Sequence, residues 1–142
     1  MAIDQIRSSI VIDAEPSEVF EYFTESDAMV LWMGQSAQLE PLPGGRFVVD
    51  VNGAAVRGRF VELDPPTRLV FTWGFLGSSE LPPGASTVEV TLSRHNGGTL
   101  VEIVHSGLTQ PESLRHVAGW RHFLGRLGRA VEAQRVANGK GQ

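Results

Sequence analysis

Cysteine is absent from this 142-residue sequence, which excludes disulfides, thiolate metal sites and cysteine nucleophiles together. Lysine is nearly absent: of twelve basic residues only Lys140 is lysine, and no chemistry follows from the arginine bias. Excess positive charge is missing too. A net charge of −4 argues against nucleic acid or an anionic membrane surface as partner. Met1 to Ser9 holds Asp4 and Arg7 but no apolar stretch, so no secretory signal is expected. No apolar run approaches the roughly 20 residues of a spanning helix. The expected location is therefore the cytoplasm, without membrane insertion. Gly44-Gly45 is not followed by Lys-Ser or Lys-Thr and a helix start, so it is not a phosphate loop. The histidines lack zinc-motif spacing, Glu112 four residues before His116 being a weak supplement, so neither metal nor cofactor is expected. No repeat or linker divides the chain. Its length fits one domain, 1–142, with 137–142 expected to fray because those residues are small and polar.

Alternation and periodicity place the elements. Ile6, Ser8, Ile10 and Ile12 share one face of a first strand. Pro16 suits a first helical turn, with Val19, Phe20 and Phe23 as its apolar stripe. Asp27 is positioned to cap a second short helix carrying Met29, Val30 and Trp32. Five further strands follow: Phe47 to Val51, Val56 to Leu63, Arg68 to Gly74, Thr87 to His95 and Thr99 to His105. Asn52-Gly53 and Asn96-Gly97-Gly98 are hairpin signals, and Gly58 suggests a bend or bulge. Phe75 to Ala85 is rich in glycine, serine and proline and reads as a loop, either a lid or a rigid turn. Thr109-Gln110-Pro111-Glu112 matches a capping box for a closing helix from Glu112 to about Val136. Along it Val117, Trp120, Phe123, Leu124, Leu127 and Val131 fall on one side, and Arg115, His122, Arg126 and Arg129 on the other.

This pattern predicts an α+β fold: a curved antiparallel sheet of about six strands wrapped on a long C-terminal helix, with two short helices after the first strand. A helix about 10 Å wide cannot cover about six strands spaced about 4.8 Å apart unless the sheet curls around it. Such curling leaves room for a hollow between sheet and helix. The inward rows are expected to be Leu69, Phe71 and Trp73, then Val88, Val90 and Leu92, then Val101, Ile103 and His105.

An ordered set of residues spans nearly the whole chain: Ile12-x-Ala14-x-Pro16, Val19-Phe20, Trp32, Gly44-Gly45-x-Phe47, Gly58, Pro65-Pro66-x-Arg68-Leu69-x-Phe71-Thr72-Trp73, Thr99, His105-x-Gly107-Leu108 and Gly119-Trp120. It resembles the START-like (Bet v-like) helix-grip superfamily known as SRPBCC, and within it homologues of the activator of the heat-shock-protein-90 ATPase. That superfamily includes lipid and hormone binders, polyketide cyclases, ring-hydroxylase domains and chaperone activators, so the resemblance implies a fold more than an activity.

The expected function is binding of a small hydrophobic or amphipathic ligand between the sheet and the C-terminal helix. The expected lining is Trp32, Phe47, Phe71, Trp73, Val88, Val90, Ile103, His105, His116, Trp120 and Leu124. Each large aromatic here serves equally well as core. No catalytic residue is assigned. His105 is the one candidate, as general base of a cyclase or dehydratase with Tyr22 or His116 as second polar group, although no acidic residue stands out to orient it. His116, at a helix start, is expected to be the more exposed histidine. Arg46, Arg57 and Arg59 read as solvated strand edges rather than an anion site, and Glu89 and Glu102 as outward-facing. The resemblance implies chaperone activation only for longer relatives with an additional N-terminal domain, so a chaperone partner is discounted. Edge strands leave a homodimer open.

Overall fold

A computed structural model describes residues 5–139. Seven strands form: β1 (Gln5–Ile12), β2 (Ser36–Leu39), β3 (Arg46–Val51), β4 (Ala54–Asp64), β5 (Arg68–Trp73), β6 (Ser86–His95) and β7 (Gly98–Ser106). Three helices accompany them: α1 (Pro16–Thr24), α2 (Ser26–Met29) and α3 (Gln110–Ala137). All strand pairs are antiparallel, in the order β1-β7-β6-β5-β4-β3-β2. The chain starts at one edge, crosses to the other through α1 and α2, and returns strand by strand to pair β7 with β1.

The seventh strand corrects the expected six. β2 is short and polar, and pairs only with β3, from Ser36 opposite Asp50 to Leu39 opposite Phe47. Only Ala37 and Leu39 are partly buried along it, so its alternation is too weak to read locally. Asp27 also differs from expectation: α2 begins after Glu25, without any side-chain cap bond, and Asp27 lies inside its first turn. The expected bulge at Gly58 is displaced as well. The β4–β5 register slips between Phe60 and Glu62, around the exposed Val61. Gly58 instead pairs opposite Phe47, and a Cβ there would lie 1.9 Å from the Thr72 carbonyl oxygen. Glycine at this position permits close approach of backbone rather than a bulge.

The inward rows follow the alternation, with all nine expected residues buried. Phe47 stacks on Phe71 at a centroid distance of 4.0 Å. Pro111 occupies the first turn of α3, and the Thr109 hydroxyl accepts from the Glu112 N–H at 3.4 Å. The helix ends at Ala137, with the Asn138 N–H bonded to the Gln134 carbonyl. Lys140–Gln142, the end of the tail expected to fray, and Met1–Asp4, the start of the segment read for a secretory signal, lie outside the described residues. Among the described residues no helix is long and apolar enough to cross a membrane.

α3 buries Trp120, Leu124, Leu127 and Val131 against the sheet. Among the strands it packs most closely on β1, where Gly128 lets the helix approach: a Cβ there would come within 3.3 Å of Ile10 Cδ1. A helix held against β1 at one edge stands away from the β3–β4 turn near the other. That separation makes the cavity.

Candidate functional site

The cavity occupies about 390 Å3 between the first four turns of α3 and the end of the sheet near the β3–β4 turn. Its walls are Val51, Ala54 and Val56 from β3 and β4, Trp73 and Phe75 from β5 and beyond, and Gly119, Trp120 and Phe123 from α3. Glu112, Arg115 and His116, one turn earlier on the helix, complete it. Helical spacing accounts for that alignment, because residues three and four apart share a face.

Three expected lining residues meet here: Trp73, His116 and Trp120. The others are packed core. Phe47 and Phe71 are consumed by their stack, and Val88, Val90, Ile103 and Leu124 are at most 1% exposed. Trp32 packs edge-on against Phe23 at 5.1 Å, donates its indole N–H to the Tyr22 carbonyl at 2.9 Å, and does not border the cavity. His105 lies behind the wall and does not border the cavity. Sequence reasoning missed Val51, Ala54, Val56, Phe75, Glu112, Arg115, Gly119 and Phe123 as lining. Phe123 already stood on the apolar stripe beside Trp120, and the hairpin signal marked the turn that Val51 and Ala54 flank. Nothing local told which end of the sheet the helix leaves uncovered.

A hydrogen-bonded network of indoles and imidazoles backs the cavity. Trp120 Nε1–H donates to His105 Nδ1 at 3.0 Å. An indole only donates, so Nδ1 of His105 is the bare nitrogen and Nε2 carries the proton. Nε2–H therefore donates to Ser86 Oγ at 2.8 Å, and the Ser86 hydroxyl donates in turn to the Trp73 carbonyl at 2.7 Å. Trp73 Nε1–H donates to His116 Nε2 at 3.1 Å, which places the His116 proton on Nδ1, 2.8 Å from the Glu112 carbonyl. Both rings are neutral and each ring nitrogen has a partner. Electrostatics agree: burial, then the neighbouring His116 ring, pushes His105 down to about 3. Burial likewise lowers His116, against the pull of Glu112. His116 is the more accessible of the two rings, as expected, at 9% against 0% for His105, yet it too is buried, with Trp73 and Phe75 packed against it.

A general base needs a free lone pair within reach of substrate. His105 offers none, because its one lone pair holds Trp120. The buried Ser86 hydroxyl is likewise spent between His105 and Trp73.

At the rim, Arg115 Nη2 meets Glu112 Oε2 at 2.7 Å and Glu80 Oε1 at 3.7 Å. The Glu112 side chain turns to Arg115 instead of back to the helix cap, so only half of the expected capping box forms. Elsewhere, Arg46 pairs with Glu40 and Arg57 with Asp50, and Arg59 donates to the Gly44 carbonyl. These arginines sit on β3 and β4, which are interior strands and not sheet edges. Glu89 pairs with Arg68, whose guanidinium also meets Glu62. Among the described residues no group of three or more His, Asp or Glu is placed to hold a metal ion. The 75–85 loop is tied down by the buried Leu81 and by bonds from Phe75 N to the Leu81 carbonyl and Gly84 N to the Arg57 carbonyl.

No curated protein matches the chain. Among solved structures, an AHSA1-like protein from Rhizobium etli is 40% identical, with a TM-score of 0.73 over 92% of this chain and 82% of that one. DynU16, from the dynemicin biosynthetic locus, is 28% identical with a TM-score of 0.79 over 92% of this chain, which spans 48% of that protein. The Aha1 dimer from Colwellia psychrerythraea shares the fold at 19% identity, with a TM-score of 0.79 over 92% of this chain and 97% of that one. The model of the family described as Activator of Hsp90 ATPase homolog 1-like protein matches residues 13–132. That match, over the same segment in which a curved antiparallel sheet grips one long helix, shows that the chain belongs to the Activator of Hsp90 ATPase homolog 1-like family, with the helix-grip fold of the SRPBCC superfamily.

Proposed function

We propose that this protein binds one small, largely apolar molecule in the cavity at the start of α3. The observation that carries the reading is a hollow of about 390 Å3 walled by Val51, Ala54, Val56, Trp73, Phe75, Trp120 and Phe123. Its size falls within the roughly 300–1,000 Å3 typical of ligand sites. Burial of about 200 Å2 of ligand would contribute about 5 kcal/mol at about 25 cal/mol per Å2, before the cost of immobilisation. The indole N–H groups are already bonded to the histidines, so the two tryptophans offer the hollow apolar carbon surface rather than a free donor. A cyclase or dehydratase reading through His105 is disfavoured by its occupied nitrogens and its place behind the wall. Contact with a chaperone rests on the family description alone. A homodimer, as described for the Colwellia protein, is compatible with binding, because one chain supplies every wall named.

Native mass spectrometry of freshly purified protein, with extraction of anything carried along, tests for a passenger. Titration with the neutral dye N-phenyl-1-naphthylamine then tests the cavity itself. Saturable, one-to-one fluorescence enhancement is expected. A bare chain that gives no saturable dye signal overturns the proposal.

A further inference from the structure

Of the two buried imidazoles, only His116 borders the cavity. Its Nε2 accepts the indole N–H of Trp73 at 3.1 Å, and Trp73 is itself a wall of the cavity. Its Nδ1–H donates to the Glu112 carbonyl at 2.8 Å. This pattern needs a neutral ring, because an imidazolium has two donors and no acceptor. Protonation sets Nε2–H against the indole N–H across 3.1 Å. Nδ1–H keeps its carbonyl partner, so the conflict falls on the Trp73 side, and one of the two rings must turn. Either movement alters the apolar wall.

A bound ligand opposes the same proton in a second way. His116 is 9% accessible. An apolar molecule in the hollow covers part of that remaining surface, and loss of water there disfavours the charged ring further. Proton and ligand are therefore linked with opposite sign, each weakening the other by the same factor.

The charges around the ring leave this linkage in place. On α3, Glu112 Oε1 lies 3.6 Å from Nδ1 and favours the imidazolium, while Arg115 opposes it. From β7 the His105 ring stands at 5.0 Å. From the 75–85 loop, Glu80 meets Arg115 at 3.7 Å. Trp73 and Phe75, packed on the ring from β5 and beyond, carry no charge. Burial outweighs Glu112 and holds His116 below the ordinary value of 6.5. His105, at about 3, stays neutral at mildly acid pH.

Resting on the binding proposal above, we infer that His116 is a proton-operated latch of the cavity, which holds an apolar ligand while the ring is neutral and releases it when the ring takes up a proton. The inference concerns regulation of the site and adds no reaction.

Titration with N-phenyl-1-naphthylamine from pH 7.5 to 4.5, with far-UV circular dichroism on the same samples, tests it. This diarylamine stays neutral over that range. Its dissociation constant is expected to be level above pH 6.5. It then rises by up to about tenfold per pH unit as His116 titrates, the limit for one proton, while the dichroism stays native. In His116→Gln the side-chain carbonyl can accept from Trp73 and nothing titrates. Whatever the affinity of that variant at pH 7.5, it is expected to stay level to pH 4.5. In the wild type, bound dye is expected to move the ring-proton NMR titration of His116 to lower pH. A level constant in the folded wild type, a rise only where the dichroism is lost, or the same rise in His116→Gln overturns the inference and leaves the binding proposal standing. An unmoved His116 titration overturns it without any variant. Absence of saturable dye binding at pH 7.5 removes the binding proposal first, and this inference with it.

Discussion

The indole nitrogen of Trp120 donates to Nδ1 of His105 across 3.0 Å, and this bond sets the protonation of His105 in the core. Trp120→Phe keeps most of the ring and removes only the donor. It is expected to destabilise the fold by about 1–3 kcal/mol, the cost of an unsatisfied buried acceptor. Trp120→Ala also opens a cavity and is expected to cost about 3–5 kcal/mol. Urea denaturation of both variants measures these losses, and a Trp120→Phe protein as stable as the wild type would show that the bond does not matter.

Acid is expected to weaken the fold before most carboxylates titrate. His105, at about 3, and His116, also lowered, sit below the ordinary value of 6.5 because burial disfavours their charged forms. The unfolded chain therefore takes up protons that the folded chain refuses. The contribution of each ring is complete above about pH 6.5 and declines as pH falls toward the folded value, by up to about 1.4 kcal/mol per pH unit per ring. Denaturant midpoints between pH 7.5 and 5 are the measurement. A flat profile there would mean that the rings protonate in place.

Gly119 borders the cavity inside α3, and a Cβ added there meets nothing within 4 Å. Gly119→Leu is expected to fill the hollow. It should stabilise the helix by roughly 0.5–1 kcal/mol, since glycine is a poor helix former. Its predicted signature is a raised melting temperature together with loss of N-phenyl-1-naphthylamine binding. Undiminished dye binding in a folded Gly119→Leu protein would place the ligand elsewhere.

Gly58 is held for a different reason. A Cβ there would lie 1.9 Å from the Thr72 carbonyl oxygen, a rigid backbone atom. Gly58→Ala is expected to cost about 1–3 kcal/mol by forcing β4 and β5 apart, near the Phe47–Phe71 stack. Thermal unfolding checks this, and a neutral outcome would show that the strands yield without loss.

Much of the architecture is legible in local pattern. The alternation of Leu69, Phe71 and Trp73 marks an inward row, Asn96-Gly97-Gly98 marks the β6–β7 turn, and Thr109-Gln110-Pro111 opens α3 where the helix begins. β2 escapes because Ser36 to Leu39 is an edge strand with little to bury. The candidate site is less legible. Alternation correctly turns His105 inward, but an inward residue can line a hollow or stand behind it, and only the position of its neighbours distinguishes the two.

The sequence by itself therefore determined the sheet, the closing helix, the inward rows and the family, because each depends on the order and spacing of residues along the chain. The tertiary structure decided the rest: that α3 lies against β1 and parts from the β3–β4 turn, that Trp73 and Trp120 donate their N–H groups to His116 and His105, and that His116 borders the hollow while His105 does not. Those outcomes depend on distances between residues tens of positions apart, which periodicity along a single element does not encode.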